Sequence, residues 1–150
     1  MVNIMKKYLK VLLPLIICIA ISSLFIYFGK VSYNNIITPK FAPPSFIFPI
    51  VWTIIYLLFY FTMIKYHEDK TIYRLYIIVL LTHILWNFAF FFLGYFLIGL
   101  IILVIMYFIS WIFVYYLSQK DKKLFYIYLI YLIWLMIALY LNIGVFLLNK

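Results

Sequence analysis

Five long apolar runs limit the fold of this sequence more than any other feature. They cover residues 8–28, 46–64, 73–93, 95–117 and 124–148. A helix needs about 20 predominantly apolar residues to cross the hydrocarbon core of a bilayer, and only a helix satisfies its backbone hydrogen bonds within one such segment. The sequence therefore predicts an all-α integral membrane protein, with residues 1–150 forming a single bundle of five transmembrane helices.

The composition excludes an ordinary soluble domain, because 71% of the residues are hydrophobic and 10% are charged, whereas soluble domains are nearer half apolar. The three acidic residues, Glu68, Asp69 and Asp121, all lie between the predicted spans. Carboxylates within spans usually mark proton relays or ion sites. Because all three acidic residues of this chain lie outside the spans, the sequence argues against an ion-coupled transporter. It also contains no Cys/His cluster that would predict a metal site.

The distribution of basic residues predicts the orientation. Nine of the 12 Lys and Arg residues lie at the N-terminal end of the chain or at the second and fourth loops, counting Lys10 and Arg74 in the first turns of their spans, and three lie on the opposite side. The positive-inside rule then places the N-terminus in the cytoplasm and the C-terminus outside. We therefore interpret the basic residues as determinants of membrane topology rather than as a nucleic-acid-binding site. The composition hints at a bacterial inner membrane, and the first apolar run is too continuous to favour a cleaved signal peptide.

Polar and aromatic side chains recur at helical spacing within the spans. The third span carries His83, Trp86, Asn87 and Phe90 on one side. The second and fifth spans repeat the pattern with Trp52, Tyr56, Trp134, Ala138 and Asn142. Such faces either pack between helices or line an aromatic cavity for a flat, apolar ligand. The residue pattern alone leaves both interpretations open.

Three prolines stand at the entrance of the second span, in the stretch "FAPPSFIFPIVW". Pro43 and Pro44 each lack an N–H group and restrict the preceding residue, so they predict an extended, stiff loop before the helix. Pro49 is tolerated because it falls in the first turns of the span. This pattern predicts a rigid loop leading directly to Trp52.

Three stretches together resemble the TspO/MBR family of tryptophan-rich sensory and translocator proteins. They are "PKFAPPSFIFPIVWTIIY" from Pro39 to Tyr56, "LWNFAFFF" in the third span and "YLIWLMIALYLN" in the fifth. The resemblance implies a five-helix bundle, commonly a homodimer, with a cavity towards the first loop. It also implies a porphyrin or haem-pathway compound as a ligand, without an obligatory cofactor.

The resemblance further assigns site residues. Trp52 and Trp134 correspond to the tryptophans that the family uses in porphyrin binding and breakdown. His83 stands where the family usually has Asn, which leaves open whether it donates a hydrogen bond or ligates haem. The expected ligand-binding residues are Tyr33, Trp52, Tyr56, His83, Trp86, Asn87, Phe90, Trp134 and Ala138, and the expected loop lid is Pro39, Phe41, Pro43 and Pro44.

Three functions remain open on the sequence. The leading expectation is a membrane receptor or carrier that binds porphyrins in an aromatic cavity. The alternative is an enzyme that degrades porphyrin in a light- or oxygen-dependent reaction with Trp52 and Trp134, since indole is the most readily oxidised of the apolar side chains. A third is a purely structural or regulatory membrane partner, in which the same side chains pack between the helices instead of lining a binding site.

Overall fold

The computed structural model describes residues 2–150, with side chains from Met5 onward. Within this range the chain forms five long helices, α1 (Val2–Phe28), α2 (Ile47–Tyr66), α3 (Lys70–Asn87), α4 (Phe96–Lys120) and α5 (Lys122–Leu148). All five are long and apolar enough to cross a membrane. The predicted five-helix membrane fold is thus confirmed. At the Lys-rich end of the bundle the helices extend several residues beyond the apolar runs, and polar residues form these additional turns.

The carboxyl end of α3 changes from an α-helix to a π-helix over Phe88–Phe92. The chain then turns at Gly94, whose positive φ of 73° suits a residue without Cβ, and enters α4 directly. α3 and α4 therefore form an antiparallel hairpin. The wider π turn leaves carbonyl groups free for other partners. The Phe91 carbonyl accepts the Val31 N–H at 3.0 Å, which ties the chain after α1 to the end of α3.

The core lies where α4 packs against both α3 and α5, with α1 packed on the other side of α3. Its largest side chains are aromatic, and Phe59 of α2 contacts the rings of Tyr76, Phe113, Tyr128 and Tyr131. The buried Tyr131 hydroxyl lies 2.8 Å from Ser110 Oγ, which itself donates to a carbonyl of α4. A hydroxyl in hydrocarbon needs such a partner.

Two of the three acidic residues cap helices at the Lys-rich end of the bundle. Asp69 accepts the N–H groups of Thr71 and Ile72 at 3.0 Å and so caps α3. Its carboxylate also pairs with Lys120 at 2.8 Å. The Lys120 ammonium, together with these N–H groups, holds the pKa of Asp69 below its usual range. Asp121 caps α5 in the same way through the Lys123 N–H.

The segment of residues 29–46, here called loop 1, connects α1 to α2 and is fastened to the end of α5. Asn149 donates to the Ile37 carbonyl and accepts the Ile37 N–H, both at 2.8 Å. The Tyr140 hydroxyl donates to the Lys40 carbonyl. Gly144 leaves room for the Pro39 ring, which occupies the space a Cβ would need. Loop 1 is therefore held by side-chain and backbone contacts between residues that are 100 or more positions apart in the sequence.

Candidate ligand-binding cavity

A cavity of about 690 Å³ lies between α1, α2 and α3. Its walls are aliphatic and aromatic, with a few hydroxyl, imidazole and amide groups. None of the described residues that line it is charged. They are Leu12, Leu15, Ile16, Ile19, Ser22, Ser23, Ile26, Pro49, Trp52, Thr53, Tyr56, Leu57, Tyr60, His83, Trp86, Asn87 and Phe91. The volume falls within the range of about 300–1,000 Å³ that is typical of small-molecule sites.

Trp52 provides the main aromatic surface of this cavity. Its indole lies over the His83 imidazole, with ring centroids 4.2 Å apart. The Tyr56 ring is 5.9 Å away and the Trp86 ring 6.3 Å away. The helical spacing of Trp52 and Tyr56 brings both to the same side of α2, as the sequence predicts. These rings are tilted against one another by about 31–38° and form one aromatic wall, against which a flat ligand can lie.

Five side chains from three helices form a buried group of polar atoms at this wall, here called the polar cluster. It consists of Cys18 and Ser22 of α1, Tyr56 of α2, and His83 and Asn87 of α3. His83 Nδ1 lies 3.1 Å from the Tyr56 hydroxyl and 3.5 Å from Cys18 Sγ. Asn87 Nδ2 lies 3.3 Å from His83 Nε2. The predicted pairing of His83 with Asn87 is therefore present.

The partners of His83 bear on the question of haem ligation. Tyr56 and Cys18 lie at hydrogen-bond distance from Nδ1, and Asn87 lies at hydrogen-bond distance from Nε2. Axial ligation of haem iron uses an unprotonated ring nitrogen directed at the metal. In this arrangement either nitrogen would have to give up its present contact first. The geometry thus suits His83 better as a hydrogen-bonding residue than as a metal ligand.

The large cavity faces the bilayer between α1 and α2. Several of its lining side chains are also exposed on the outside of the bundle, with Ile16 55% and Leu57 51% exposed. A side chain that is exposed on the membrane surface and also lines a cavity forms the edge of its opening. The opening lies along the membrane-spanning part of the helices, so an apolar molecule within the bilayer can reach it without crossing loop 1.

A second, much smaller cavity of about 30 Å³ lies beneath loop 1, next to the π-helical end of α3 and to α5. Trp86 and Phe91 line both cavities and form the wall between them. The small cavity has room for about one water molecule. Its remaining lining residues are Tyr33, Ile36, Phe48, Phe90, Ala138, Leu141, Asn142 and Val145.

The structure thus divides the predicted site residues between two places. Trp52, Tyr56, His83, Trp86 and Asn87 line the large cavity, whereas Tyr33, Phe90 and Ala138 line the small one. Trp134 lines neither. It is buried against Phe48, with ring centroids 5.5 Å apart. The two tryptophans that the resemblance pairs are therefore not brought together in one cavity.

None of the four predicted lid residues lines either cavity. The Tyr33 hydroxyl donates to the Pro43 carbonyl at 2.7 Å, which holds the loop closed on itself. Pro39 packs on Gly144. Phe41 is 97% exposed and has a positive φ of 63°. Among the described residues of loop 1, none lines the large cavity.

The face of α1 is the part of the site that sequence reasoning missed. Cys18 and Ser22 are buried and four residues apart, which places them on one side of the helix. Ser22 Oγ is buried without a hydrogen-bond partner. This spacing of small polar residues in an otherwise apolar span was the available signal.

Comparison with known families agrees with the fold and with the motifs at the cavity wall. A comparison with curated proteins gave no match. The model of the TspO/MBR family matches residues 10–148 of the 150-residue chain. This match covers most of α1 and all of α2 to α5, and it includes the Pro-rich loop, the Trp52 region and the polar faces of α3 and α5. The chain belongs to the TspO/MBR family.

Proposed function

We propose that this protein is a membrane receptor or carrier that holds a flat, hydrophobic ligand of the porphyrin class in the large cavity. Family membership supports a receptor or transporter in the membrane. The finer assignment depends mainly on one observation, the aromatic wall formed by the Trp52 indole over the His83 imidazole in an uncharged cavity of about 690 Å³. A flat aromatic ring gains most from such a wall, because it stacks and is desolvated at the same time.

The position of the opening supports exchange of the ligand with the bilayer. Loop 1 is fastened to α5, whereas the gap between α1 and α2 faces hydrocarbon. We therefore propose that a porphyrin partitions into the membrane and then enters sideways between these helices. The bacterial inner membrane, a cytoplasmic N-terminus and a homodimer are parts of the same proposal, supported by the charge distribution and the family resemblance.

The test is a titration of the purified protein with protoporphyrin IX in detergent, followed by tryptophan fluorescence quenching. Trp52→Phe removes the indole that covers His83, so we expect about 3- to 10-fold weaker binding, which corresponds to the loss of one aromatic stacking contact. Trp111→Phe is the matched control, since Trp111 lies on α4 and lines neither cavity. Equal affinity of Trp52→Phe and Trp111→Phe would remove the large cavity as the site.

The variant Trp134→Phe tests whether Trp134 belongs to the binding site, as the resemblance implies, or lies outside the large cavity, as in the structure. Because Trp134 packs on Phe48 outside the large cavity, we expect it to change affinity less than Trp52→Phe. The degradation hypothesis stays a prediction, and the same variants test it. Bleaching of bound porphyrin under light that is faster with the wild type than with either variant, or with detergent alone, would favour it.

A further inference from the structure

The hydrogen bonds of the polar cluster determine which way its protons point. Asn87 Nδ2 donates to the His83 carbonyl at 2.9 Å, which fixes this atom as the amide nitrogen. The same nitrogen faces His83 Nε2 at 3.3 Å, so Nε2 is the acceptor and Nδ1 carries the ring proton. Nδ1–H then donates towards the Tyr56 oxygen, 3.1 Å away.

Two hydroxyl protons remain available once these bonds are assigned. The Tyr56 oxygen accepts from His83, so its own O–H is free to donate to another group. Ser22 Oγ has no partner, and Ser22 is only 3% exposed, with less than 1 Å² of the Oγ atom accessible. Rotation about the Ser22 Cα–Cβ bond is therefore needed to turn this O–H into the cavity. Both residues line the large cavity. A buried hydroxyl without a partner costs free energy, and a ligand atom that accepts its proton removes that cost.

The cavity is nevertheless unsuited to a charged acceptor. Its described lining residues include no Lys or Arg. A carboxylate placed there would lose its hydration without gaining a counter-ion. An uncharged carbonyl oxygen loses far less on leaving water, and it accepts from hydroxyl groups in the geometry the cluster offers.

We propose that the polar cluster is a recognition subsite for an uncharged carbonyl oxygen, such as that of a ketone, ester or amide, at the edge of the flat ligand. Tyr56 and Ser22 donate to this oxygen, and His83 and Asn87 are positioning residues that hold the Tyr56 hydroxyl. This inference rests on the proposed function, since it assigns the ligand class of the same cavity. For a porphyrin, it follows that the propionate groups stay outside this part of the site.

Three pyrene compounds of similar shape test the subsite, with pyrene fluorescence as the readout. 1-Acetylpyrene carries the uncharged carbonyl, 1-isopropenylpyrene replaces its oxygen with CH₂, and 1-pyrenecarboxylate carries a charge. We expect the ketone to bind about 5- to 10-fold more tightly than the alkene, the ratio for one net hydrogen bond. The carboxylate should bind more weakly than either. Equal binding of ketone and alkene, or tightest binding of the carboxylate, would overturn the subsite.

Variants locate the effect within the cavity. Tyr56→Phe should reduce the ketone-to-alkene ratio towards one, and Ser22→Ala should reduce it in part. Tyr115→Phe, which removes the same atom from an exposed tyrosine of α4 outside the cavity, should keep the wild-type ratio. A ratio that survives in Tyr56→Phe would contradict the assignment. If none of the three compounds binds while protoporphyrin IX does, the subsite fails and the proposed function stands, and equal binding of ketone and alkene likewise removes only the subsite. If protoporphyrin IX does not bind either, the proposed function fails as well.

Discussion

The attachment of loop 1 to α5 can be tested at Gly144. In Gly144→Ala the new Cβ would lie 2.5 Å from Pro39 Cγ and 2.6 Å from Pro39 Cβ. Non-bonded carbon atoms ordinarily stay about 3.5–4.0 Å apart, so the Pro39 ring must retreat by about 1 Å. Overpacking of this kind costs about 1–3 kcal/mol. The hydrogen bonds between Asn149 and Ile37 lie in the same contact and should weaken with it.

Trypsin provides a local measurement of this change, because loop 1 contains Lys40, whose carbonyl accepts from Tyr140. Proteolysis of a transiently opened segment follows the population of the open form. A cost of about 1–3 kcal/mol therefore predicts cleavage after Lys40 about 5- to 100-fold faster in Gly144→Ala than in the wild type. Cleavage after Lys122, at the other end of α5, should keep its rate and is the internal control.

A double-mutant cycle isolates the contact itself. Pro39→Gly removes the ring that the new methyl group meets, so adding Gly144→Ala to Pro39→Gly should cost much less than adding it to the wild type. The free energy of unfolding in mild detergent and the trypsin rate should both show this coupling. If Gly144→Ala is equally harmful in both backgrounds, its cost does not come from Pro39. If it changes neither quantity, loop 1 is not held against α5 at this point.

Three further predictions concern the rest of the bundle. Asp69→Ala should lower stability by about 1 kcal/mol at pH 7 through loss of the α3 cap. Because the folded-state pKa of Asp69 is lowered by Lys120, its contribution is present above the unfolded pKa of about 3.9 and is lost as the pH falls through the lower folded value. Melting curves between pH 3 and 7 should therefore converge for variant and wild type at the acidic end. Gly29→Ala should destabilise by about 1–3 kcal/mol, since its Cβ would meet the carbonyls of Phe25 and the π-helical segment, and neither backbone group can turn aside. Ser110→Ala should cost about 1–2 kcal/mol by leaving the Tyr131 hydroxyl unpaired, and Tyr131→Phe should abolish that cost in thermal unfolding.

Most of the fold is predictable from the sequence because the bilayer restricts the choice of structures so strongly. A run of about 20 apolar residues in a membrane has to be helical. The short polar links then determine which helices are antiparallel, as at Gly94. The exact helix ends were less predictable, because residues such as Lys70 and Lys120 continue the helix outside the apolar core. The π-helical end of α3 depends on contacts with the chain after α1, which local sequence does not show.

The site was predictable only in part. The spacing of Trp52 with Tyr56, and of His83 with Asn87, correctly indicates which sides of α2 and α3 carry the polar and aromatic groups. The division into two cavities was not predictable, because it depends on how Trp86 and Phe91 pack to form the wall between them. The position of Pro39 likewise depends on Gly144, which lies more than 100 residues away in the sequence.

The contribution of α1 shows why periodicity is a weak guide to cavities in membrane proteins. In a soluble protein, apolar residues mark the inside of a helix, because the outside faces water. In a bilayer, Ile16 and Ile19 are equally suited to lipid and to an apolar cavity, and here they line the cavity and are also exposed on the outside of the bundle. The informative positions are the polar ones, since a hydroxyl such as that of Ser22 is costly in hydrocarbon unless it finds a partner. On α1, a polar residue that is buried and still unpaired is therefore better evidence for a ligand than any apolar stripe, which is why the subsite rather than the whole cavity wall gives the sharper test of function.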